Sequence, residues 1–205
     1  MVGWAIRRVG SLLYEHPKVP EDAVREGKFG RLKIALVADY FTADCLSAEC
    51  RIRSMTPGNF RDVIIHWKPD LVFVESAFHG MGGAWRYELA RQPKLLRLNR
   101  PTAIYELAEC ARREGVPAIF WNKDDGAFFD AFIDVAKAFD YVFTTDAECV
   151  ERYRQNVPAH VQVNTLVMPY QPAFHDFTGF HFSHNDACFT GSYYRRILGD
   201  RRRFL

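Results

Sequence analysis

A series of short, nearly continuous apolar runs, most closing on a polar residue, constrains this chain more than any other feature. Leu32–Ala38 closes on Asp39, Leu71–Val74 on Glu75, Ala118–Trp121 on Asn122, and Tyr141–Thr144 on Thr145 and Asp146; Val161–Val167 continues the series. Runs of this length predict strands covered on both faces, the pattern of a parallel sheet. The segments between them have helical spacing. Phe60, Val63, Ile64 and Trp67 share one face, and Pro69 ends that segment. Ile104, Leu107, Ala108 and Ala111 form a second stripe, opened by Asn99-Arg100-Pro101 and closed by Gly115 and Pro117. Phe128, Phe132, Val135 and Phe139 mark a third helix, and Glu148–Arg154 a short fourth. Strands alternating with helices at these intervals predict an α/β fold built on a largely parallel sheet.

Composition narrows the class. The chain has 205 residues, 48% of them hydrophobic, which suffices for one domain with a sizeable core. Seventeen Phe, nine Tyr and four Trp exclude a disordered chain. No apolar run approaches the roughly 20 residues of a membrane span. A net charge of +2 carries no nucleic-acid footprint. The cysteines Cys45, Cys50, Cys110, Cys149 and Cys188 are scattered without a C-x-x-C pair, so reduced thiols in a cytoplasmic protein are expected. Arg7 and Arg8 stand where a secretory signal would be apolar.

Residues 1–30, with mixed charges, Pro17 and Pro20, are expected to be a leader, and 31–168 the main domain. Residues 169–186 hold Pro169, Pro172, Gly179, aromatics and His175, His181 and His184 without periodicity, so a crossing segment is expected there. A further strand, Ala187–Thr190, then opens residues 187–205. The ending Arg201-Arg202-Arg203-Phe204-Leu205 falls within what reads as a new helix.

Ligands of open parallel sheets sit beyond the carboxyl ends of the strands. Asp39, Glu75, Asn122 and Asp124 lie at those ends, with Ser76, His79, Lys123, Asp125 and Asp146 nearby. Carboxylates and amides beside aromatic rings suit sugars or other polyols: rings stack on the sugar, and acids accept from its hydroxyls. Helix capping is the competing role, above all for Asp125 and Asp146. Gly80-Met81-Gly82-Gly83 lacks dinucleotide-fingerprint spacing. No metal site is expected from the Asp124-Asp125 pair or from the histidines of 175–184. In Phe189–Arg196, Gly191 and Ser192 precede Arg195 and Arg196, an arrangement suited to an anion such as phosphate.

The ordered set Asp39-Tyr40-Phe41-Thr42, Lys68–Ala77, Phe120–Asp125, Phe139–Asp146 and Cys188–Tyr194 resembles the spore-maturation-type glycosyltransferases, bacterial proteins related to family 1 and family 4 enzymes of the GT-B architecture. The resemblance spans about residues 31 to 205. It implies a Rossmann-like N-terminal domain that receives the acceptor, and a second domain that holds a nucleotide-sugar donor as substrate, without a resident cofactor or required metal. Residues 187–205 would be the first strand and helix of that second domain, most of it missing from this chain. The implied reaction moves a sugar from a nucleotide diphosphate to a hydroxyl of a glycan, lipid or surface protein, in the cytoplasm or peripheral to the inner membrane. Asp39, Glu75, Asn122 and Asp124 would orient the acceptor or assist its deprotonation. Gly191, Ser192, Arg195 and Arg196 would face the donor diphosphate. A non-catalytic sugar- or nucleotide-binding module is the alternative. A receiver-like regulatory domain is the third class, and Asp39 with Lys123 meets its requirements only in part.

Overall fold

The structure, a computed structural model, describes residues 22–90 and 102–173. Six strands form one sheet: β1 (Lys33–Val37), β2 (Arg51–Ser54), β3 (Leu71–Glu75), β4 (Ala118–Asn122), β5 (Tyr141–Thr144) and β6 (Gln162–Thr165). Their order is β2-β1-β3-β4-β5-β6, and every neighbouring pair is parallel. The register sets Val37 opposite Val74, Glu75 opposite Trp121 and Asn122 opposite Thr144, so the polar strand ends share one edge. The α/β parallel-sheet expectation is met.

The helices are α1 (Tyr40–Ser47), α2 (Phe60–Asp62), α3 (Ala103–Arg113), α4 (Phe129–Ala136) and α5 (Cys149–Arg154). Helix α2 widens into a π-helical turn, Val63–Trp67, that keeps the expected apolar face inward: Phe60, Val63, Ile64 and Trp67 are all buried. Lys68 then turns into the left-handed region at φ 52°, ahead of Pro69. Helix α3 has no side-chain cap of its own. The Glu88 carboxylate accepts from the Thr102 and Ala103 backbone N–H groups, each at 3.0 Å, and satisfies part of its open first turn. The expected start at residues 99–101 lies outside the described residues.

The two sheet faces are covered unequally. Ala35, Val37, Val72, Val74, Phe120 and Val142 pack with the buried stripes of α2 to α5. Ile34, Leu36, Phe73 and Trp121 face the other way, where Ala43 of α1 joins them. Right-handed crossovers account for the asymmetry. Only the β1 to β2 connection steps toward one edge of the sheet; every later connection steps toward the other.

Two elements differ from expectation. Residues 40–54 hold α1 and the edge strand β2, neither of which an apolar run announces. Part of the expected leader packs on β2: the Asp22 N–H donates to the Ile52 carbonyl (2.9 Å), and its carboxylate pairs with Arg51 (2.7 Å) and Arg53 (3.2 Å). Beyond β6 the chain turns back along the carboxyl edge. Trp121 Nε1 donates to the Leu166 carbonyl (2.8 Å), and Gln171 Nε2 donates to the Cys45 carbonyl and to Glu49 Oε1 of the α1 region, each at 3.0 Å. The expected strand 187–190 lies outside the described residues. Cys45, Cys50, Cys110 and Cys149 are buried free thiols. Among the described residues, no helix is long and apolar enough to cross a membrane.

Candidate functional site

The strand order reverses between β1 and β3. The chain leaves β1 toward one edge and returns to lay β3 on the other side, so the loops beyond these strands part and leave a crevice. Asp39 follows β1 and caps α1, its Oδ1 accepting from the Thr42 N–H at 3.3 Å. Its Oδ2 meets the Lys123 ammonium, which arrives from the end of β4. The same ammonium meets Glu75 Oε1 at the end of β3. Lys123 therefore joins three strand ends through one cation held between two carboxylates.

Burial decides the electrostatics. Glu75 is 0% exposed, and burial pushes its carboxyl up to about 7; Lys123 opposes this shift and Asp39 adds to it. Burial alone would lower the Lys123 pKa, but Glu75 and Asp39 outweigh it and hold the ammonium above the usual lysine value. Lys123 is thus a fixed cation, not an amine nucleophile. A side-chain hydrogen bond with Thr42 also opposes the rise of the Glu75 carboxyl.

On the other side of Lys123, Ser76 Oγ donates to Asp124 Oδ2 (2.9 Å) and accepts from the Lys123 N–H (3.0 Å). Burial raises the Asp124 carboxyl, partly offset by Ser76 and Lys123. These groups open onto a pocket of about 260 Å3 bounded by Asp39, residues 76–80, Lys123 and Asp124. The Phe78 ring stands 39% exposed at the pocket, braced edge-on by Phe128 (5.2 Å) and Phe132 (5.1 Å). The loop is tied back to β1 by the Met81 N–H, which donates to the Ala38 carbonyl at 2.9 Å. Gly80 makes its turn at φ 66°, ψ 176°, a region open essentially to glycine alone, and a Cβ there would sit 3.0 Å from Trp85 Cδ1.

Asn122 points away from this pocket. Its Nδ2 donates to Asp125 Oδ1 (2.7 Å) and Tyr153 OH (2.9 Å), while its Oδ1 accepts from the Asp124 N–H (3.1 Å). Burial pushes Asp125 in this network up to about 6, opposed by Thr144 and Tyr153. Asp146 caps its own turn, its Oδ1 accepting from the Glu148 N–H at 2.9 Å.

Of the residues singled out from the sequence, Asp39 and Asp124 line the pocket. Glu75 stands behind Lys123, and the Asn122 side chain is spent inside the domain. Gly191, Ser192, Arg195 and Arg196 lie outside the described residues. Lys123 and Ser76 also stand at strand ends in the sequence, and the structure makes both part of the site. The available signal was charge balance: three acids brought to one edge need a cation, and Lys123 stands among them in sequence. Among the described residues, no group of three or more His, Cys, Asp or Glu side chains is placed to hold a metal. No family model, curated protein or solved structure matches the chain.

Proposed function

We propose that this domain binds the acceptor of a GT-B-type glycosyltransferase, which passes a sugar from a nucleotide diphosphate to an acceptor hydroxyl. The observation that carries the proposal is the pocket at the strand-order reversal, with Asp39, Asp124 and an exposed Phe78 ring around about 260 Å3. That volume lies below the roughly 300–1,000 Å3 of sites for larger ligands and suits one sugar ring better than an extended nucleotide. Acceptor hydroxyls would donate to Asp39 and Asp124, and the Phe78 ring would cover an apolar sugar face. Lys123 would keep Asp39 in place and Ser76 would keep Asp124, so the domain's share of catalysis would be positioning. The donor would be held by a second domain.

A sugar-binding module without turnover is the second reading. It is favoured by the locking of Glu75 and Asn122 in the interior, which leaves fewer strand-end groups for chemistry. A phosphoryl-accepting regulatory domain is disfavoured, because the carboxylate that Lys123 holds on β3 is wholly buried.

A screen of nucleotide-sugars against the full-length protein, reading acceptor-dependent release of nucleoside diphosphate, tests the proposal. Release that falls in Asp124→Asn supports transfer. Saturable sugar binding without release supports the module, and neither result overturns both.

A further inference from the structure

We infer that the sugar unit taken by this pocket carries a protonated amine beside its hydroxyls; the inference rests on the acceptor-site proposal. Two carboxylates, Asp39 and Glu75, meet one ammonium, and a third, Asp124, stands on the same pocket wall as Asp39. That ammonium is already held by two of them and is 14% exposed. Asp124 is left with the Ser76 hydroxyl as its side-chain donor, and among the described residues no ion pair reaches it. Its charge is therefore half-buried with only the Lys123 cation nearby, which Asp39 and Glu75 already engage, an unfavourable state that a ligand cation relieves.

The source of that cation follows from the same geometry. The described acids are not grouped to hold a metal, so the positive charge comes on an organic ligand. Among the described residues that line the pocket, the one Lys or Arg, Lys123, is already engaged, so a phosphate or carboxylate would meet Asp39 and Asp124 with no free ammonium or guanidinium to receive it. An ammonium donates up to three charge-assisted hydrogen bonds, roughly twice as strong as neutral ones, and Asp124 and Asp39 stand on the pocket wall to accept them. Phe78 at the same wall favours a cation as well as an apolar sugar face.

Calorimetry of the full chain with glucosamine, glucose and N-acetylglucosamine, near neutral pH and at low salt, tests the inference. Glucosamine is expected to bind about tenfold or more tightly than either neutral sugar. In Asp124→Asn, which keeps the side-chain shape, the advantage of glucosamine over the neutral sugars is expected to disappear. The comparison in the unmodified protein decides the matter even where the variant folds poorly. Equal affinities for the three sugars overturn the amine inference and leave the acceptor site standing. Binding of ethanolamine with no sugar bound overturns the acceptor site and the amino-sugar inference that rests on it. No binding by any of the four overturns both.

Discussion

Glu75 is an ionisable group with no access to water, held by one cation and pushed up to about 7. The folded protein binds this proton more tightly than the unfolded chain, whose carboxyl titrates near 4.5. Its contribution to stability is therefore complete below about 4.5 and is lost as pH rises to about 7. Asp125, raised to about 6, acts in the same direction over a narrower window. Glu75→Gln, which can still accept from Lys123, is expected to flatten the pH dependence of stability across the Glu75 window, as read by denaturant titrations at several pH values. Lys123→Met tests the other partner. It removes the cation that holds the Glu75 carboxyl down, so at about pH 8 the buried group must either stay ionised without a partner or take up a proton, and a loss of roughly 3 kcal/mol is expected by urea titration. Adding Glu75→Gln to that variant should restore most of the loss.

At the scale of elements, the short loop after β3 shapes the pocket. Gly80→Ala forces a strained backbone and a contact with Trp85, itself anchored by Nε1 donating to the Met55 carbonyl at 2.7 Å. A loss of about 1–3 kcal/mol is expected, readable as a lower Tm. Asn122 links the end of β4 to α5 through Tyr153. Asn122→Ala strands buried groups on Asp125 and Tyr153 and is expected to lose about 2 kcal/mol in a denaturant titration. The central strands were legible in the sequence because β1, β3 and β4 are covered on both faces and their residues run apolar without a break. β2 was not legible: it is an edge strand with only Ile52 buried, and Arg51 and Arg53 flank that residue to meet Asp22. α1 escaped for a related reason. Its buried side chains are Thr42, Ala43, Cys45 and Ser47, small or polar, so no large apolar stripe marks it. At the site, Asp39 and Asp124 could be found from their place at strand ends. The division between a pocket-facing Asp124 and an inward Asn122 could not, because it depends on Tyr153 and Ser76 arriving from distant parts of the chain.

For the whole molecule, the strand order dictates both where stability concentrates and where the pocket opens. β1, β3 and β4 lie inside the sheet, while β2 and β6 form its edges. Amide hydrogen exchange is expected to be slowest in β1, β3 and β4 and fastest among the strands in β2 and β6. The reversal between β1 and β3 also brings Asp39, Glu75 and Lys123 together from positions far apart in sequence, on the most protected strands of the fold. A site on rigid strand ends fits a role in positioning rather than in large movement. The most direct measurement is a titration of isotopically labelled protein with monosaccharides, followed residue by residue by NMR. Saturable shifts confined to Asp39, residues 76–80, Lys123 and Asp124 are predicted, and they should vanish in Asp124→Ala. Saturable shifts elsewhere, or none at millimolar sugar, would contradict the claim that this pocket is a sugar site.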